Sequence, residues 1–108
     1  MDKTTLESMA NNAFENIKDR REYLYTMTEA AIEAQSVLDM AKVAALSSGK
    51  VDGKNEETRK AQLAEITKVQ LAELRTADGL ERASRYQFDL AQYDVDTVKT
   101  MLRIAELP

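Results

Sequence analysis

The sequence predicts an all-α fold: a long antiparallel helical hairpin that dimerises into a helical bundle. Three observations lead there. The turn-forming residues are concentrated in mid-chain, where Ser47-Ser48-Gly49-Lys50-Val51-Asp52-Gly53-Lys54-Asn55 holds two of the three glycines. Both flanks are rich in Ala, Leu, Glu, Lys, Gln and Arg, the strong helix formers, and the only proline is the last residue, Pro108. Apolar residues recur at seven-residue spacing on either side of the turn, the repeat that keeps one face of a helix against a partner. A single hairpin domain over 1–108 follows, with a helix over about 5–46, a turn over 47–54 and a helix over about 55–106.

The first helix is expected to start at Thr4 or Thr5, with Thr4 and Glu7 forming a capping box in which each side chain satisfies a free backbone N–H. Ile17, Leu24, Ala31, Leu38 and Ala45 fall seven apart, and Ala13, Met27, Ala34 and Ala41 take the companion positions, with Arg20 the exception. Leu6, Met9 and Phe14 widen the stripe near the start. The many alanines in its middle allow close approach of a second helix. Gly49 is placed to terminate the helix in the left-handed conformation that costs other residues energy.

Asn55 is a good cap for the second helix, and Glu56 and Glu57 sit where the positive end of the helix dipole favours them. Phe88, Val95 and Leu102 are again seven apart, with Ala91, Val98 and Ala105 beside them. Leu63, Ile66, Val69, Leu71, Leu74, Ala77 and Leu80 form a broader apolar surface, which implies contact with more than one helix. Asp78-Gly79-Leu80-Glu81 offers an alternative start for a third helix. Continuity is the preferred reading, because the apolar pattern resumes without a loop-length gap and a lone Gly costs a helix only about 1 kcal/mol. Arms of about forty residues extend about 60 Å at 1.5 Å per residue. An isolated hairpin of that length leaves apolar surface wet, so the chain is expected to pair with itself as a homodimer or higher helical assembly.

Residue types that are missing narrow the chemistry. The chain has no Cys and no His, so it has no disulfide, thiolate nucleophile, zinc finger or imidazole base. It is read as a non-enzyme with no cofactor and no metal. The net charge of −4, from 15 basic and 19 acidic residues, provides no phosphate-backbone footprint, and nucleic acid is not expected as a partner. No run of 18 apolar residues suits a membrane, and the N-terminal Met1-Asp2-Lys3-Thr4-Thr5 lacks the apolar core of a signal peptide.

Three constellations invite chemistry, and each has a plainer explanation. Gly49-Lys50-Val51-Asp52-Gly53-Lys54-Asn55 resembles a phosphate loop, but it has three residues between the glycines where four are needed, and Asn where Ser or Thr belongs; it reads as a turn. Asp52, Asn55 and Glu56 have the wrong offsets for a calcium loop. Glu29, Glu33, Asp39, Glu65 and Glu73 lack the His partners of a di-metal bundle site and read as a solvated face.

The candidate interface lies on the second helix. Arg75, Arg82 and Arg85 form a basic stretch, followed by Asp89, Asp94 and Asp96, so the helix changes sign along its length. Antiparallel pairing with its own copy would set basic against acidic; Glu81 and Arg85 would also form an ordinary i,i+4 pair. Tyr86 and Tyr93 sit off the repeat beside these charges, the aromatic-plus-Arg combination of interface anchors, whereas Phe88 lies on it as a core residue. The candidate interface is therefore Arg75, Arg82, Arg85, Tyr86, Tyr93 and Asp94. Tyr23 and Tyr25, with Arg20 and Arg21, form a smaller group of the same kind.

Gly53-Lys54-Asn55-Glu56-Glu57-Thr58-Arg59 at the turn, Ala77 and Ala83 farther on, and the ending Val95-x-x-Val98-x-x-x-Leu102-Arg103-Ile104-Ala105-Glu106-Leu107 together resemble small phage and prophage-encoded helical accessory proteins. The resemblance covers roughly the second half of the chain. It implies an accessory role, in DNA recombination or in blocking a host nuclease or defence system, and a place in the host cytoplasm. Length, mild acidity and the mid-chain turn also resemble secreted hairpins of the WXG100 type, although the chain has no Trp, and Tyr86 and Tyr93 are followed four residues on by Leu90 and Thr97 where an acidic residue belongs. The leading expectation is a non-catalytic protein that binds a host or phage protein as an anti-defence factor. The alternatives are a self-assembling scaffold or WXG100-like hairpin, and a recombination accessory protein.

Overall fold

The computed structural model describes residues 2–107. Three helices follow in order: α1 over Lys3–Ser47, α2 over Glu56–Ile66 and α3 over Lys68–Ala105. There is no strand among the described residues, and the fold is a helical hairpin.

Helix α1 starts at Lys3, two residues earlier than the Thr4 capping box requires. Asp2 is the capping residue: its Oδ1 accepts from the Thr5 N–H at 2.7 Å. A carboxylate accepting backbone N–H groups is favoured in its charged form, and the bonds from Thr5 hold the Asp2 carboxyl below its ordinary range. At the other end Gly49 adopts φ 76°, the left-handed geometry expected of it. Asn55 caps α2 as its sequence position suggests, accepting from the Thr58 N–H at 2.8 Å.

The second arm is interrupted at Thr67 and not at Gly79, which lies inside α3. Thr67 has φ −101° and ψ 14°, between the helical and extended regions. Its hydroxyl donates to the Leu63 carbonyl at 2.8 Å, an oxygen that also accepts the Thr67 N–H at 3.0 Å. Such back-bonding competes with the backbone ladder and bends helices. The ladder resumes at once, with the Leu71 N–H donating to the Thr67 carbonyl at 3.0 Å. A one-residue kink separates α2 from α3.

The chain divides into two compact units. Unit one combines α1 up to Met27 with α3 from Glu81 onward; unit two is Thr28–Leu80. In unit one Ala10, Ala13, Val95 and Val98 form the core, with Met9, Ile17 and Leu102 packed on it. The Arg21 guanidinium lies 5.8 Å from the Phe88 ring centroid, within cation–π range. The two helix segments are antiparallel: earlier residues of α1 meet later residues of α3. In unit two Leu38, Ala45, Thr67 and Leu74 are buried.

Burial follows the seven-residue repeat on α1: Ala13, Leu38 and Ala45 are buried, and Ile17, Leu24, Met27, Ala31, Ala34 and Ala41 are half-buried. Phe14 departs from it, because it is exposed where the sequence pattern places it on the stripe. On the second arm Ile66, Val69 and Leu80 of the broad apolar surface stay exposed. Ala105 is exposed too.

Candidate interface surfaces

On α3 the buried residues Ser84, Ala91, Val95 and Val98 recur at offsets of seven, four and three, and therefore occupy one helical face. Arg82, Arg85, Tyr86, Asp89 and Tyr93 are spaced three, four and seven apart on the opposite face, and all are exposed. Tyr86 and Tyr93 are 62% and 72% exposed. Phe88, on the repeat, is half-buried, as the spacing predicts.

The charges on this outward stripe are locally organised. Arg85 donates to the Glu81 carboxylate one turn earlier. That hydrogen bond, then the charge of Glu81, with Asp89 adding to it, raises the guanidinium pKa above its ordinary value. Arg82 has no ion pair among the described residues. The Tyr93 carbonyl accepts from the Thr97 hydroxyl at 2.9 Å, and the Asp96 carboxylate accepts from the Gln92 amide at 3.1 Å.

Two of the six candidate interface residues lie elsewhere. Asp94 is exposed but belongs to a different face of α3. It lines a groove of about 400 Å³ in unit one, with Met9, Ala13 and Val98 as apolar walls and Asn12, Asn16 and Thr97 as polar ones. Arg75 is exposed on the part of α3 that belongs to unit two. The structure thus gathers Arg82, Arg85, Tyr86 and Tyr93 on one stripe. Tyr23 and Tyr25 are also exposed.

Unit two holds a groove that includes Leu63 and Leu71 of the broad apolar surface read from the sequence, with two lysines that the pattern does not single out. The groove, of about 210 Å³, runs between α1 and the Thr67 kink, with Leu38, Leu63, Ala64 and Leu71 as walls and Lys42 and Lys60 beside them. On α1 the large apolar residues Ile32, Met40, Val43 and Leu46 are exposed. Their signal in the sequence is that they fall off the repeat running through Leu24, Leu38 and Ala45.

The mid-chain turn is bonded to α2. The Gly53 N–H donates to Gln62 Oε1 at 2.8 Å, the Gln62 amide donates to the Asp52 carboxylate at 2.8 Å, and Arg59 donates to the Gly53 carbonyl at 3.1 Å. Asp52, a loop oxygen that a cation would need, is engaged by Gln62. Of the helix carboxylates, Asp39 accepts from Gln35 at 3.0 Å and Glu65 pairs with Lys68 at 3.5 Å. Among the described residues no three His, Cys, Asp or Glu side chains converge in a way that would hold a metal ion, and no helix is long and apolar enough to cross a membrane.

Comparison with family models, curated proteins and solved structures finds no match in any of the three.

Proposed function

We propose that this chain works as a protein-binding module, without catalysis, through the outward stripe of α3. The observation that carries this reading is the combination of Tyr86 and Tyr93 with Arg82 and Arg85 on the solvent side of one helix. Tyrosine offers a large amphipathic area with few rotors to immobilise, and Arg adds planar multidentate bonding. Together with Trp these types dominate binding hot spots. A helix whose opposite face is anchored by Ala91, Val95 and Val98 presents them at fixed spacing. The absence of His and Cys from the whole chain favours binding over acid–base or thiol chemistry. The resemblance to phage accessory proteins points to a host nuclease or defence protein as the partner, encountered in the cytoplasm of an infected cell.

The test is affinity capture from a host lysate with the tagged chain, followed by mass spectrometry. The expected result is a specific nuclease or defence protein. The double variant Tyr86→Ala/Tyr93→Ala should weaken its capture by about 30-fold or more, since one hot-spot tyrosine alone is worth about 2 kcal/mol. Tyr25→Ala, an equally exposed aromatic on α1, should leave capture unchanged. Capture insensitive to the α3 double variant would overturn the assignment of the surface, and recovery of nothing except the chain's own copies would overturn the partner class.

A further inference from the structure

We propose that unit two docks a second copy of this chain, the acidic turn around Ile32 of each α1 seating in the lysine-rimmed groove of the other. The groove specifies the chemistry of its occupant. Its walls are Leu38, Leu63, Ala64 and Leu71, and its charged groups are Lys42 and Lys60, both cationic. The one hydroxyl in it, from Thr67, already donates to the Leu63 carbonyl. In a chain of net charge −4, an apolar groove with a wholly cationic rim selects an aliphatic side chain with carboxylates on either side. At about 210 Å³ it lies below the roughly 300 Å³ at which small-molecule sites begin; a branched aliphatic side chain is the better match.

Unit two presents such a group on its own surface. Ile32 is 58% exposed; Glu29 stands one turn before it and Glu33 directly after, both exposed and in no ion pair among the described residues. Ile32 and Lys42 are ten residues apart on the same helix, about 15 Å at 1.5 Å per residue. A two-fold axis between them lets each copy give one side chain and receive one, which makes the contact self-complementary and closes it at two chains. The Lys60–Glu56 pair at 3.2 Å joins side chains about three-quarters exposed, a contact of the kind that exchanges partners at little cost. Met40, Val43 and Leu46, exposed on the same stretch of α1, supply apolar area around the charged contacts. The surface is separate from Tyr86 and Tyr93, so its failure and the failure of the α3 reading are independent.

The experiment is sedimentation equilibrium of the full chain, of Lys42→Glu/Lys60→Glu, of Glu29→Lys/Glu33→Lys, and of their equimolar mixture. The wild-type chain should dimerise, and more weakly as salt is added. Each double variant alone should associate at least about tenfold more weakly, because like charges then face each other. The mixture should recover association, because both contacts of the mixed dimer are complementary: one keeps the native pairing of Lys42 and Lys60 with Glu29 and Glu33, and the other has the same pairing with its charges exchanged. Lys42, Lys60, Glu29 and Glu33 are all exposed in the single chain, so helicity by circular dichroism should be unchanged. If a variant loses helix, Lys42→Gln/Lys60→Gln replaces it: its association should be weaker than wild type and less sensitive to salt, and an unchanged salt dependence would overturn the proposal. A monomeric wild-type chain, variants that dimerise like it, or a mixture that does not recover would each overturn it as well.

Discussion

In unit one the buried apolar residues are mostly small, Ala10, Ala13, Ala91, Val95 and Val98 together with Leu6, while Phe14, Leu90, Ile104 and Leu107 stay open. In unit two the large apolar residues outnumber the places that cover them. Leu38 and Leu74 are buried, while Ile32, Met40, Val43, Leu46, Ile66 and Val69 stay open. Both regions follow the same seven-residue repeat, so the repeat alone does not separate the unit that buries more of its apolar residues from the unit that buries fewer. Width separates them. A strict stripe is satisfied by one facing helix, whereas apolar residues spread over a wider arc need a further surface. Exposed apolar surface of that kind marks interaction sites.

The largest expected effect comes from a charge placed on each side of this contrast. Val95 is 4% exposed and Val69 is 61% exposed, both on α3. Val95→Asp buries an unpaired carboxylate and should cost more than about 4 kcal/mol, the range reserved for disruption of a core. Val69→Asp should stay within about 0.5 kcal/mol, as surface changes do. Urea denaturation followed by circular dichroism reads both. Equal costs at the two sites would mean that Val69 is covered in solution and that unit two is not open as described.

A smaller effect is expected at the turn. A Cβ on Gly53 would fall 2.6 Å from Thr58 Cγ2 and 2.9 Å from Thr58 Cβ. Thr58 belongs to the first turn of α2, where its N–H is held by the Asn55 cap, so it cannot retreat freely. Gly53→Ala should therefore cost about 1–3 kcal/mol, as overpacking does. The loss should appear as a lowered midpoint with an unchanged denaturant slope. No loss would show that the turn adapts and that the bonds from Gln62 and Arg59 do not hold its shape.

Much of the fold can be read in the residue order because it rests on local chemistry. Leu38 and Ala45 are buried because they share a helical face with Leu24 and Ala31; Asn55 caps because a short carboxamide reaches the N–H three residues on; Gly49 takes positive φ because it has no Cβ to clash. Features set by competition between local options are harder to read. Asp2 and Thr4 are both good caps, and the choice between them is settled by where the helix starts. Thr67 and Ser84 are polar residues at buried positions, invisible to a hydrophobic pattern, and Thr67 bends the arm at a place where no Gly or Pro warns of it. The outward stripe of Arg82, Arg85, Tyr86 and Tyr93 is legible as residues off the repeat, since helical spacing alone turns them from the core. The lysine-rimmed groove is not, because Lys42 and Lys60 come from different helices and meet only once the hairpin has closed.

Gly79 provides the smallest and most diagnostic comparison, set against Gly53. Nothing lies within 4 Å of a Cβ built on it, and its φ is not positive. Neither space nor backbone conformation therefore calls for glycine there. Inside a helix, Gly carries a conformational entropy cost of about 0.5–1 kcal/mol relative to Ala, so Gly79→Ala should stabilise the chain by about that amount. The helical signal should stay the same or rise slightly. The opposite sign at Gly53 follows from one difference, a neighbour at 2.6 Å against none within 4 Å. Loss of stability on Gly79→Ala would mean that something approaches α3 at this point in solution, and that the covering surface of unit two lies beside Leu80 and not on its α1 side.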